Sequence, residues 1–152
     1  MPNHCHNRVT FYSDDQEKNI KFLHDVFSRA TDENDTRSVF GEFISEPDWT
    51  TTPNEAGELP IQPEPDSMYP PKFPDGTTDD RWYNWRLANW GTKWDCYEVD
   101  IDECDLPNGF EVTFDTAWSP PEEICQALRE QYPDICISWF FDEPGMEVAG
   151  YL

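Results

Sequence analysis

Basic residues all but vanish from the second half of this chain. From residue 94 to residue 152 there is one, Arg129, against fifteen aspartates and glutamates, whereas the first 93 residues hold nine bases and seventeen acids. Across 152 residues, thirty-two acids face ten bases, a formal net charge of −22. That sign disfavours direct binding to nucleic-acid phosphates or to anionic membranes. It also sets self-repulsion against compaction at low salt. Other absences are equally informative. The opening MPNHCHNRVTFYSDD lacks a basic segment followed by an apolar one, and no apolar run reaches membrane-spanning length. Neither a signal peptide nor a membrane span is therefore expected, and a cytoplasmic location follows. Five cysteines are an odd number, too sparse for a disulfide scaffold and with no CxxC pair, which points to a reducing compartment and mostly buried thiols. GxSxG, HExxH and phosphate-cradling glycine loops are missing, so no catalytic residue and no cofactor is assigned.

What is present is aromatic: 10 Phe, 7 Trp and 6 Tyr, enough to build one core in a chain this short. His4 to Tyr12 alternates in the manner of a half-buried strand. Ser13 and Gln16 then read as a capping box for a helix whose inward stripe is Ile20, Leu23, Phe27 and Ala30, with Phe22 and Val26 beside it. Periodicity is lost from Thr31 to Pro74, where SVFGEFIS (38–45) suggests a short strand. Eight of the 14 prolines fall between Pro47 and Pro74, marking an extended loop whose Trp49, Ile61, Tyr69 and Phe73 should drape it over the body. Asp79 and Asp80 open a helix that Gly91 stops. Tyr97, Val99 and Ile101 alternate with acids as a strand over 97–103, DLPNG (105–109) turns the chain, and 110–118 returns. Ser119, Pro120 and Glu122 read as a second capping box, with Ile124, Leu128 and Tyr132 facing inward. ICISWFF (135–141) is apolar on both faces and is expected to be covered on both, while GMEVAGYL has room for one more short strand.

The order β-α-β-β-α-β predicts an α+β fold: a ferredoxin-like βαββαβ sandwich with helices on one face of a four-stranded antiparallel sheet. It makes 1–152 a single domain with a Pro-rich, Trp-containing insertion at about 31–93. Strands 4–12 and 110–118 should be central and the acidic strand an edge.

Several constellations invite chemistry. On a strand, His4 and His6 share a face that Cys5 does not, so the three cannot close on one ion. DIDECD (100–105) opens like a calcium loop but has Asp105 where the turn needs glycine, and no closing glutamate. Neither supplies a metal site. The tryptophans from Trp82 to Trp94 read as core rather than as a ligand cage. The acids remain. An edge strand needs some outward charge to resist pairing with other chains, but two or three carboxylates suffice. Asp95, Glu98, Asp100, Asp102, Glu103 and Asp105 exceed that, and Glu111 and Asp115 extend them.

MPNHCHNRVTF, NWGTKWD (89–95), FDTAWSPP (114–121), FDEPG and the terminal AGY together resemble the YubB-like family of ferredoxin-like proteins carried by conjugative plasmids and phages. His4 stands where that resemblance leads one to expect an aromatic residue. The resemblance implies a fold, a mobile-element origin and a bacterial host cell, and it brings no catalytic residues. Together with the charge, it makes the expected function a non-enzymatic, nucleic-acid-mimicking inhibitor. Asp95, Glu98, Asp100, Asp102, Glu103, Asp105, Glu111 and Asp115 would contact the basic groove of a host defence protein, such as a CRISPR effector or restriction enzyme. A small metal-assisted or hydrolytic enzyme with His4–Cys5–His6 near its site, or a structural or regulatory adaptor, are the alternatives.

Overall fold

His4–Tyr12 forms strand β1, and its alternation holds: Cys5, Asn7, Val9 and Phe11 are buried, while His4, His6 and Arg8 are exposed. The computed structural model of the chain describes residues 3–102 and 108–152. After β1 come helix α1 (Glu17–Ser28), continued by a 3-10 turn at Arg29–Thr31, and the short helix α2 (Phe40–Phe43). Helix α3 (Arg81–Asn89), strands β2 (Tyr97–Asp102) and β3 (Gly109–Ala117), helix α4 (Glu122–Gln131), and strands β4 (Cys136–Glu143) and β5 (Val148–Tyr151) complete the order. The strands assemble as β2-β3-β1-β4-β5, every neighbour antiparallel. The first four positions give the ferredoxin-like order, with β1 and β3 central and β2 at one edge.

The sheet has five strands, not four. The chain reverses after β4 at Pro144–Glu147, where the Glu143 carboxylate accepts the Met146 N–H and Glu147 adopts a left-handed φ of 56°. That turn returns the chain alongside β4, making β5 the second edge and β4 an interior strand. Among the described residues no helix covers the outer face of β4: Cys136 and Ser138 are exposed, so the expectation of two covered faces fails. Its apolar outward residue, Phe140, is shielded only in part, by the Arg8 guanidinium 5.3 Å from its ring centre and by Tyr151.

Burial on the other face is conventional. Ile20, Leu23, Val26 and Phe27 of α1 and Ile124, Cys125 and Leu128 of α4 pack onto Val9, Phe11, Val112, Phe114 and Trp139. Phe22, expected beside the inward stripe, and Ala30, expected within it, are exposed; at Ala30 the helix has tightened to a 3-10 turn. Neither capping box forms, and each serine makes a tertiary bond. The Ser13 hydroxyl donates to the Asp134 carbonyl, and α1 starts only at Glu17; the Ser119 hydroxyl donates to the Gly91 carbonyl at 2.6 Å, and α4 starts at Glu122. Two prolines after Ser119 hold the chain extended for one turn longer than the cap pattern implies. SVFGEFIS contains helix α2, not a strand. Gly91, with φ 84°, ends α3 as expected: its N–H and that of Trp90 both reach the Arg86 carbonyl. No helix among the described residues is long and apolar enough to cross a membrane.

Between Ile44 and Asp80 the chain forms only isolated bridges. It is fastened by Arg81, whose guanidinium lies between the rings of Trp49 and Phe73 (5.0 and 5.1 Å) and donates to the carbonyls of Trp49 and Pro53, both at 3.1 Å. Trp49 and Phe73 thus anchor the loop, whereas Ile61 and Tyr69 point to solvent.

One polar network lies inside the core. The Trp139 indole N–H donates to Asn7 Oδ1 (3.0 Å), and Asn7 Nδ2 donates to Thr116 Oγ1 (3.0 Å) and to the Cys5 carbonyl (3.1 Å). Three strands are joined through one side chain. Replacing Asn7 by leucine keeps the branched four-atom outline of the side chain but leaves the Trp139 indole N–H without its acceptor in a dry interior, while the Thr116 hydroxyl keeps its donation to the Ser119 carbonyl. Urea unfolding of Asn7→Leu should show a stability loss of about 1–3 kcal/mol.

Candidate interaction face

The sheet face away from the helices is open, and strand register dictates what appears on it. Antiparallel partners share a face, so three cross-strand rows can be read off. The first is Asp102, Glu111, Thr10 and Ser138; the second is Asp100, Thr113, Arg8, Phe140 and Tyr151; the third is Tyr97, Asp115, His6, Asp142 and Ala149. Acids dominate the β2–β3 side, and Arg8 and His6 stand in the middle strand. His6 Nδ1 lies 2.6 Å from Asp115 Oδ1, and Arg8 Nε lies 3.4 Å from Glu111 Oε1. His6 and Arg8 are exposed and their carboxylate partners partly so, and solvent-screened pairs of this kind contribute little to stability. A shallow groove of about 420 Å³ runs between these rows, lined by His6, Arg8, Glu98, Asp115, Phe140 and Asp142 among others.

Strict alternation in β2 breaks at its start. The register shifts between Tyr97 and Asp100, where Glu98 takes a left-handed φ of 51°. This bulge swings Tyr97, expected inward, onto the open face opposite Asp115. Its hydroxyl sits 2.6 Å from His4 Nδ1. Burial and the Asp115 charge raise its pKa. The inward residues of this stretch are instead Cys96, Val99 and Ile101. Glu98, Asp100 and Asp102 are all exposed.

Asp95 has a different occupation. Its carboxylate accepts from the Ser38 hydroxyl (2.5 Å) and from the backbone N–H groups of Val39 (3.0 Å), Phe40 (3.1 Å) and Cys96 (2.8 Å). A negative charge at the positive end of α2 explains why 40–43 is helical despite its strand-like sequence. Of the eight acids expected to act together, Glu98, Asp100, Asp102, Glu111 and Asp115 share one surface. Asp95 turns to the loop instead, and Glu103 and Asp105 lie outside the described residues, as does most of the expected 105–109 turn. Asp142 joins the surface unannounced, since only the β1–β4 register, His6 against Asp142, reveals it.

Other expectations find geometric answers. His4 and His6 point outward and Cys5 inward, and no three His, Cys, Asp or Glu side chains among the described residues are grouped to hold a metal. Burial pushes the Cys5 thiol up to about 11, with the Glu143, Asp115 and Asp142 charges adding to the effect, and raises Cys96 well above its ordinary value. Cys136 is exposed, contrary to the expectation for most thiols only in its own case among the described ones. The tryptophan group is not an empty cage, because Arg86 sits between Trp82 and Trp90, 5.1 and 5.0 Å from their ring centres, and bonds Glu46 through two nitrogens at 2.8 Å. Trp90 is fully in the core, while Trp94 stands at the rim beside Tyr97 and Lys93.

Comparison with known proteins locates the fold. Residues 90–152 match the profile of a family described as a ferredoxin-like domain in Api92-like protein. The crystal structure of the protein Api92 from Yersinia pseudotuberculosis superposes with a TM-score of 0.53 at 11% identity, over 99% of this chain and 93% of that one. At that identity the likeness is one of fold. No curated protein matches the chain.

Removing the Asp95 carboxylate should release α2. Asp95→Ala is expected to lower stability by about 1–2 kcal/mol and to speed hydrogen exchange at the Val39 and Phe40 amides, whereas Asp95→Asn retains most of both.

Proposed function

We propose that this protein is a non-enzymatic inhibitor from a plasmid or phage of the YubB-like kind. It acts in the cytoplasm of a bacterial host by offering its acidic sheet edge to the basic nucleic-acid groove of a defence protein. The observation that carries this reading is the placement of Glu98, Asp100, Asp102, Glu111 and Asp115 on one open sheet surface, with no helix over it among the described residues. Edge protection alone explains less than this. Asp102 stands directly opposite Glu111 across the β2–β3 ladder, and like charges in that position cost stability. Asp100 and Asp102 are separated by about 6.6–7 Å along the strand, close to two phosphate steps of about 3.4 Å each.

A chain of net charge −22 attracts cationic grooves from beyond contact distance, so association is fast and weakens as salt screens it. Arg8 interrupts the acidic field and fixes its register against a partner, since misplacing it brings like charges together. Direct binding to nucleic acid has no place in this reading, because the sign of the charge opposes it.

Purified CRISPR effectors and restriction endonucleases, with and without bound nucleic acid, are the direct test. A target should bind only when its groove is empty, with affinity falling about tenfold or more between about 50 and 200 mM salt. Binding that persists on the nucleic-acid-loaded enzyme, or ignores salt, defeats the reading. Exposed charges act collectively, so Asp100→Asn alone should cost less than about fivefold. Converting Glu98, Asp100 and Asp102 together to amides should cost more than about tenfold and flatten the salt dependence, with folding intact because Val99 and Ile101 stay in place.

A further inference from the structure

The two edges of the sheet are treated in opposite ways. Edge β2 carries outward acids and a bulge, both of which discourage pairing with another strand. Edge β5 carries neither. From Gly145 to Leu152 the one charged side chain is Glu147, in the turn, while Met146, Val148 and Tyr151 are 60%, 47% and 71% exposed. Its hydrogen-bonding phase is fixed by the Leu152 N–H, which donates to the Trp139 carbonyl at 3.0 Å. By the alternation of an antiparallel ladder, Val148, Gly150 and Leu152 turn their backbone groups toward β4, and Ala149 and Tyr151 turn theirs outward. Both are exposed and present an open N–H and C=O to solvent.

We infer that β5 pairs antiparallel with β5 of a second copy of this chain, joining two five-stranded sheets into one. The occupant is a second copy because the edge complements itself. Setting Ala149 opposite Tyr151 of the other copy, about a two-fold axis at Gly150, matches every outward backbone group with a partner. In that register the largest side chain faces the smallest on the same open surface, where Tyr151 already lies edge-on to Phe140 with ring centres 5.2 Å apart. A one-residue slip fails, since it points the outward groups of one copy at the inward groups of the other. A two-residue slip one way brings in Glu147, whose left-handed backbone cannot continue a strand, and the other way it sets Tyr151 against its own copy and leaves the outward groups of Ala149 unmatched. Net charge does not forbid the pairing, because it puts the two acidic β2 edges at opposite ends of the joined sheet. They are then roughly 40 Å apart, several Debye lengths at physiological salt. The inference stands apart from the inhibitor reading, which concerns the other edge.

Sedimentation equilibrium of the full chain, from roughly 1 to 200 µM and at both about 0.15 and about 1 M salt, tests it. A monomer–dimer equilibrium that tightens with salt is expected, as the contact is apolar and the opposing charge is screened. Ala149→Pro removes an outward N–H without touching the β4–β5 ladder, a position where an edge strand tolerates proline. It should weaken dimerisation about tenfold or more. Tyr151→Lys, which alters no backbone group, should do the same, while unfolding curves of both stay close to the parent. The triple amide change in β2 should leave the dimer in place. A monomer throughout the range overturns the inference, and so does a dimer that survives both β5 substitutions.

Discussion

Strand β1 is paired on both sides, and its two-residue alternation fixes the rest of the molecule. One set of its residues, from Cys5 to Phe11, meets the helices; the other, from His4 to Thr10, faces solvent. A slip of one residue would exchange the two sets and bury an arginine and two histidines. Apolar packing alone would resist such a slip. The Asn7 network goes further, since Trp139 and Thr116 find their partner in one register only, and an unsatisfied indole in a dry core is costly. From that register follow the three rows of the open face, and hence the meeting of His6 with Asp115 and Asp142.

The strands were legible in the sequence wherever burial is one-sided, because alternation is then enforced by water. β1 shows this over its whole length, and β3 as far as Thr116. Alternation misleads where a second force intervenes. At Glu98 a bulge inserts one residue and moves Tyr97 across the sheet, and nothing in YEVDID announces it. At residues 40–43 an aspartate more than fifty positions away supplies the helix start that the local sequence lacks. The serine caps fail for a related reason: both hydroxyls have long-range carbonyl partners, and the local bond of Ser13 goes to Asp15, ahead of the helix. The composition of strand β4 implies cover on both faces, but it does not reveal that an arginine and a tyrosine can partly shield a phenylalanine where no described helix does.

The candidate face was legible in the same uneven way. Exposure of the β2 acids followed from alternation, and their union with Glu111 and Asp115 from the hairpin. Asp142 required the long-range β1–β4 pairing. Asp95 looked like one more member of an acidic run, and its capping task is visible only once the loop before α2 is seen folded back against it. Acidic side chains adjacent in sequence thus divide between holding the fold and facing outward.

The attachment of the long proline-rich loop has a further consequence. Trp49, Pro53 and Phe73 converge on the single guanidinium of Arg81, and the chain between those anchors contributes little to the core. The entropy of closing a loop grows only with the logarithm of its length, so a doubling costs about 0.6 kcal/mol. Residues between the anchors are therefore free to vary in number as well as kind while the clamp persists. A foreign peptide or fluorophore inserted there would leave both sheet edges as they are, which makes this loop the natural handle on the molecule.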